Sequence, residues 1–259
     1  MSVKHGALAL AGQREDHQRA PEYEERVRQK RLVASARRPS FGTQGVTSGL
    51  PASLSTLAEH VGENLRGADL LRKGWQPALV DLRRVCALLP FAFLDVELPT
   101  VEEGDFDRLA EILFAHDALD VGITYDPAVT GWVVHDAAED VQVVGQLRAA
   151  GSPGVVLGLV IGRSPFFIEV ARVEDRFILV RGYDIAVSLL GRGVSLVPAL
   201  VHRHRRPADL PFGRSSLEQA AVMGRRPPLL PDFLDDDVSA EVPMPRTQRL
   251  LMIRAAEFA

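Results

Sequence analysis

Residues 164–203 constrain the fold more tightly than any other part of the chain, because the spacing of their apolar side chains changes within them. From Phe166 to Val180, β-branched and aromatic residues form two runs, which a polar turn at residues 174–176 separates. This pattern predicts a hairpin of two strands. After Gly182 the apolar positions take helical spacing, at Ile185, Ala186, Leu189 and Leu190. A helix is therefore expected to start at Gly182.

The end of this helix and the strand after it are also marked in the sequence. Gly193 can adopt a left-handed backbone at little cost, so the helix should end there. Residues 194–201 are mostly apolar and predict a strand, in which Pro198 favours an edge or end position because proline donates no ladder hydrogen bond. A helix that starts on a glycine leaves its first amides free, and such helix ends often bind phosphate.

The order of strand, Gly-Tyr-Asp, helix and GVSLVPALV resembles the ParB and sulfiredoxin superfamily across residues 164–203. In that superfamily the turn reads Gly-Glu-Arg-Arg or Gly-Cys-His-Arg. The resemblance implies an α/β (α+β) domain with a small mixed sheet and a glycine-led helix. For the enzymes of the superfamily it implies phosphoryl transfer, nucleotide hydrolysis or nuclease activity.

At the turn itself this chain departs from the superfamily pattern. The turn glycine falls on Gly182, the cysteine or glutamate position on Tyr183, the first basic or histidine position on Asp184, and the phosphate-gripping arginine position on Ile185. A helix with this pattern would bury Ile185. A ParB-like domain without its basic grip on phosphate favours a non-catalytic binding or regulatory protein.

Two roles for Asp184 fit the sequence. Its carboxylate can accept hydrogen bonds from the free amides at the helix start, a cap that contributes about 1 kcal/mol. Alternatively, Asp184 is a general base or metal ligand in an enzyme that uses Mg²⁺ and a nucleotide. In that enzyme Arg181 would neutralise phosphate, Tyr183 would stack or donate a hydrogen bond, and Glu169 would supply a second carboxylate. A purely structural scaffold is the third class that stays open.

The densest run of basic residues, His202 to Arg206, follows the predicted return strand. Positive charge there predicts a surface for nucleic acid or for an acidic protein. We expect this run near the sheet edge that carries the glycine-led turn. The predicted ligand-binding residues are therefore Arg181, Gly182, Tyr183, Asp184, Arg203, His204, Arg205 and Arg206. The acidic run at residues 235–237 lacks EF-hand spacing and is expected to be solvated surface, so no metal site is predicted.

Charge divides the chain into a basic N-terminal part and an acidic remainder. The net charge is −4, and residues 1–50 carry nine basic and five acidic side chains, so the remainder stands at −8. Few apolar residues lie in 1–50, which predicts a disordered tail. Residues 51–67 are predicted as a short helical lead-in with Ser53 as its N-cap, 68–206 as the ParB-like domain, and 207–259 as an extension packed on it.

The remaining patterns complete the expected fold. Residues 78–89 should open the sheet, 102–116 form a helix, 120–144 a hairpin insertion, 155–161 a buried strand, 215–223 a helix and 248–253 a closing strand. Cys86 is the single cysteine and lies in an apolar run, so we expect it in the core. Neither a signal peptide nor an apolar run of roughly 18 residues is present, which predicts a cytoplasmic protein without membrane contact.

Overall fold

The computed structural model describes residues 2–6, 29, 45–93, 96, 98–114, 122–128, 130–135, 141–149, 156–163, 167–213, 216–243 and 251–254. The strands are β1 (Ser2–Gly6), β2 (Thr47–Ser48), β3 (Gln76–Asp81), β4 (Cys86–Ala87), β5 (Phe91–Phe93), β6 (Gly122–Asp126), β7 (Gly131–His135), β8 (Val141–Ala149), β9 (Val156–Arg163), β10 (Glu169–Val173), β11 (Arg176–Arg181), β12 (Leu196–His204), β13 (Ser239–Pro243) and β14 (Leu251–Arg254). The helices are α1 (Leu57–Glu63), α2 (Leu65–Arg72), α3 (Phe106–Phe114), α4 (Tyr183–Gly191) and α5 (Gln219–Val222), and 3₁₀ turns lie at Ala52–Leu54, Leu82–Arg84, Pro207–Asp209 and Leu230–Leu234.

A mixed six-stranded sheet in the order β2-β3-β12-β10-β11-β4 is the centre of the fold. The predicted hairpin forms from β10 and β11, which pair antiparallel, and α4 carries the chain from β11 to β12. β12 lies parallel to β10 and antiparallel to β3. The α/β class expected from the sequence, a mixed sheet with a glycine-led helix, is confirmed.

The position of Pro198 decides between the predicted edge and end positions, because β12 is an interior strand and Pro198 is its third residue. Leu200 donates its N–H to the carbonyl of Ile168, so the N–H groups of even-numbered residues in β12 face β10. The pairing with β10 begins only at Leu200, beyond Pro198. Proline is tolerated there because its missing N–H faces the side where the ladder has not yet begun.

Helical segments bury both faces of this sheet. α4 packs with the turn Leu230–Leu234, whereas α1, α2 and α3 pack together and onto β3 and β12. Four consecutive residues of β12, from Val197 to Leu200, are buried, so side chains on both faces are covered. Cys86 is 1 % exposed in the core, as predicted. Residues on either side of 68–206, including Leu57 and Phe233, belong to the same core.

Several element predictions change in extent or partner. The helix expected at 102–116 begins after Asp105, whose Oδ1 accepts from the N–H of Arg108 at 3.2 Å. The helix expected at 215–223 is only the single turn of α5. Ser53 lies inside a 3₁₀ turn and is not an N-cap. The apolar run expected at 155–161 forms a strand, β9, which pairs with β8 in a two-stranded ribbon. The expected hairpin and closing strand appear as β6, β7 and β14.

The two ends of residues 1–50 are paired in sheets. β1 lies between β5 and β13, and β2 pairs with β3. Val46 is fully buried, and its carbonyl accepts from the N–H of Asp81 at 2.8 Å. These ends depart from the predicted disordered tail, and most of that prediction lies outside the described residues. Within the described part of the chain, none of the helices combines the length and hydrophobicity needed to cross a bilayer.

Candidate functional site

The turn at Gly182 joins β11 to α4 and requires glycine for two reasons. Its φ angle is +88°, in the left-handed region that side chains disfavour. A Cβ atom at this position would also lie 2.9 Å from the carbonyl oxygen of Phe167 and 3.0 Å from the Cα of Ile168. The predicted helix start at Gly182 is confirmed, and Gly182 packs closely against the backbone just ahead of β10.

Tyr183, which occupies the superfamily's cysteine or glutamate position, is an anchor inside the protein. Its hydroxyl donates to the carbonyl of Leu179 at 2.6 Å. The same oxygen accepts from the N–H of Leu88 and from the N–H of Leu89, the latter at 2.9 Å. Burial raises the pKa of Tyr183. This phenol is therefore occupied by three backbone groups, and its ring is not presented to a ligand.

The next two residues of the turn differ in exposure. Ile185 is 3 % exposed, as the helical pattern predicts, and so brings no polar group to the helix start. Asp184 is half-buried in the first turn, where a negative charge is favourable beside the positive end of the helix. Arg181 and Asp184 both take part in polar or electrostatic interactions within the protein.

Glu169, the second predicted carboxylate, is 4 % exposed and forms an ion pair with Arg66 on α2. Its backbone pairs with Arg181 and with Leu200, so it lies at the end of the sheet that carries the glycine-led turn. The Asn64 side chain accepts from the N–H of Arg66 at 2.7 Å and thereby caps α2. Sequence reasoning missed Arg66, although an asparagine just ahead of a helical pattern predicts a helix start there. Removing one partner of such a pair leaves the other charge buried and unpaired, which destabilises the protein.

The basic run does not lie beside the glycine-led turn, which corrects the prediction that they share an edge. Glu169, at the start of β10, pairs with Arg181, whereas Val173, at the end of β10, pairs with His204. The two sets of predicted ligand-binding residues are thus separated by the length of β10, about 13 Å. Because β12 runs parallel to β10, it carries its C-terminal residues away from the turn.

An aromatic cluster supports the base of the basic run. His202 stacks on Trp75 with ring centroids 5.4 Å apart, and His204 lies edge-on to His202 at 4.7 Å. Trp75 is buried, and both histidines are half-buried. Burial lowers the pKa of His204, and the neighbouring His202 lowers it further. This packing holds the last residues of β12 in a fixed position.

Exposed arginines surround this end of the sheet. Arg176, the first residue of β11, donates through Nη1 to the carbonyl of Val222 at 2.5 Å, which brings the segment after α5 to the same end. We name the five exposed arginines there, Arg203, Arg205, Arg206, Arg225 and Arg226, the arginine end. Three exposed carboxylates lie near them, namely Glu174, Asp175 and Asp209, and Asp209 pairs with Arg206 at 3.0 Å. Positive charge therefore prevails among the described side chains at this end.

The described residues contain no group of three or more histidine, cysteine or carboxylate side chains that could hold a metal ion. Burial raises the pKa of Cys86 to about 12, so its thiol is not a reactive thiolate. Comparisons with protein-family models, with curated proteins and with solved structures found no match. The resemblance to the ParB and sulfiredoxin superfamily stays a prediction, and the geometry of the described residues is the basis for any inference about chemistry.

Proposed function

We propose that this protein is a non-catalytic nucleic-acid-binding protein, built on a ParB-like α/β unit, that contacts phosphates through the arginine end. The observation that carries the proposal is the placement of Arg203, Arg205 and Arg206 at the end of an interior strand, next to a packed aromatic cluster. Guanidinium groups donate to phosphate oxygens in bidentate fashion, and a rigid support lowers the entropy lost on binding. A cytoplasmic location is part of the same proposal.

The glycine-led turn supports a non-catalytic role rather than an enzyme. Tyr183 is committed to backbone groups, and Glu169 is committed to Arg66. Ile185 brings an apolar side chain to the position where the superfamily has its phosphate-gripping arginine. A phosphate at this helix start would also meet the negative charge of the Asp184 carboxylate.

The test is the salt dependence of binding to a fluorescent DNA duplex, measured by anisotropy. We expect binding that weakens as salt rises, with a slope that reflects the number of phosphates contacted. Replacing Arg203, Arg205 and Arg206 together by glutamine should reduce that slope by about 0.9 for each phosphate that the variant no longer neutralises. The matched control replaces three exposed arginines elsewhere, Arg83, Arg108 and Arg192, by glutamine and should leave the slope unchanged.

Three results would contradict the proposal. The first is the absence of salt-dependent binding, and the second is an equal reduction of binding in both triple variants. The third is equally tight binding to poly-glutamate with the same salt slope, which would assign the arginine end to an acidic protein partner instead. Binding that disappears only in the arginine-end variant supports the proposal.

A further inference from the structure

A cleft of about 300 Å³ lies between α1 and α3, on a different part of the molecule from the arginine end. One wall is formed by α1, on which Leu57, His60 and Glu63 are spaced three residues apart and line the cleft. On α3 the facing residues are Asp107, Ala110, Glu111 and Phe114. Pockets that bind small molecules begin at about this volume.

The floor of the cleft is apolar and rigid. Leu54, Leu57 and Phe114 line it and are 5 %, 3 % and 4 % exposed, because they also belong to the core. Phe114 packs on Phe167 with ring centroids 5.4 Å apart, which fixes its position. Ala110 also lines the cleft and contributes only a methyl group to it. An apolar body can therefore replace water above these residues.

The rim of the cleft is acidic. Glu63, Asp107 and Glu111 are exposed along its two sides. Among the lining residues, His60 is the only histidine, lysine or arginine. Glu111 pairs with Arg108 at 2.6 Å. Within the described part of the chain, Glu63 and Asp107 make no hydrogen bond or ion pair. Two carboxylates are thus available to a ligand at opposite walls.

We propose that this cleft binds a small organic cation with an apolar body, of the arylalkylammonium or alkylammonium class. The apolar part would lie on the floor, and the ammonium group would donate to the rim carboxylates in charge-assisted hydrogen bonds. An anion of the same shape would meet repulsion from the carboxylates of Glu63 and Asp107, and a neutral analogue would lack the charge attraction. The proposal does not depend on the arginine end or on nucleic-acid binding.

The test uses 2-phenylethylammonium as the probe, with 3-phenylpropionate and 2-phenylethanol as the anionic and neutral comparisons. Binding is followed by NMR chemical-shift changes on the full chain. We expect a saturable response to the cation with a dissociation constant in the millimolar range typical of fragment-sized ligands. The shifts should map to α1 and α3, and the anion should give none.

The decisive variant carries Glu63→Gln and Asp107→Asn, which should weaken binding of the cation roughly tenfold or more, as expected when charge-assisted hydrogen bonds are removed. The matched control carries Glu59→Gln and Glu218→Gln, two exposed carboxylates that do not line the cleft, and should stay within about twofold of the original protein. A separate variant, Ala110→Leu, should block binding by occupying the floor. Absence of a saturable response, equal binding of 3-phenylpropionate, or equal weakening in both double variants would overturn the proposal.

Discussion

The hydroxyl of Tyr183 and the N–H of Leu89 are joined by a hydrogen bond of 2.9 Å that links the first residue of α4 to the segment after β4. The same oxygen donates to the carbonyl of Leu179 and accepts from the N–H of Leu88. One side chain therefore satisfies three backbone groups around a buried position.

Replacing Tyr183 by phenylalanine should consequently destabilise the protein by about 3 kcal/mol, since those buried groups would lose their partner. Urea unfolding of the variant measures this destabilisation. Tyr125→Phe is the control, because Tyr125 is 49 % exposed and should change the free energy of unfolding by less than about 0.5 kcal/mol. Equal effects in the two variants would contradict the role assigned to the Tyr183 hydroxyl.

Gly182 and Gly193 have nearly equal φ angles but different surroundings. Substituting each one therefore distinguishes the free-energy cost of a left-handed backbone from the cost of a steric conflict. Gly182 has φ of +88° and a close backbone neighbour, whereas Gly193 has φ of +85° and no atom within 4 Å of an added Cβ. Gly193→Ala should therefore lower the free energy of unfolding by about 1 kcal/mol, from the backbone conformation alone. Gly182→Ala should cost about 2 kcal/mol more, because Phe167 and Ile168 must move. Similar melting temperatures for the two variants would contradict this account of the turn.

The sequence predicts local elements here better than it predicts their partners. The change of spacing at Gly182 locates both the hairpin and α4 because these depend on contacts between near neighbours in the chain. The sequence leaves the place of Pro198 open between an edge and an end position, since the choice depends on where β10 begins to pair with β12. The Arg66 partner of Glu169 was missed for the same reason, as the two residues are distant in sequence.

The candidate functional site could likewise be predicted from the sequence only in part. Residues 202–206 were recognised as basic from composition, but their distance from Gly182 follows from the parallel pairing of β12 with β10. A strand pattern alone does not specify the direction of its neighbours. The cleft between α1 and α3 has no local signature, because its two walls lie far apart in the chain.

Val46 provides a test of whether the segment just ahead of Pro51 packs on the core. It is fully buried, and its carbonyl accepts from Asp81. Val46→Ala should destabilise the protein by about 2 kcal/mol, as expected for truncating a buried aliphatic side chain. A chain that starts at Pro51 should also unfold at lower urea than one that starts at Gly45. Equal stability of these two shortened chains would contradict the packing of this segment on the core.

Stability should depend on pH in the range where His204 titrates. Burial, with the nearby His202, lowers the pKa of His204, while Asp209 acts in the opposite direction. The unfolded chain takes up a proton as the pH falls through about 6.5, before the folded chain does, so stability is complete above that pH and decreases below it. Lys73 holds the pKa of Asp69 below its ordinary value, and Arg206 does so for Asp209, so these pairs matter only at more acid pH.

The measurement is the free energy of unfolding from urea titrations between about pH 8 and pH 5. His204→Gln should flatten the decrease in that range. The matched control is His60→Gln, since His60 is exposed and lies outside the aromatic cluster. An unchanged slope in the His204 variant, or the same flattening in the control, would contradict the assignment.

The role of Asp184 distinguishes a non-catalytic binding protein from an enzyme that uses Mg²⁺ and a nucleotide. If its carboxylate serves only the first turn of α4, Asp184→Asn should keep the fold within about 1 kcal/mol of the original and leave DNA binding unchanged, because a negative charge in the first turn of a helix contributes no more than about 1 kcal/mol. Stability alone does not distinguish the two roles of Asp184, since a variant that loses a catalytic base also stays folded.

Thermal melting is therefore compared with and without Mg²⁺ and CTP or ATP, for the original protein and for the variant. A ligand present at 100 times its Kd stabilises the folded state by about 2.7 kcal/mol, which is readily detected. We expect no such stabilisation in either protein. A stabilisation of the original protein that requires Mg²⁺ and disappears in Asp184→Asn would contradict the non-catalytic assignment. It would indicate that the turn at Gly182 binds a nucleotide.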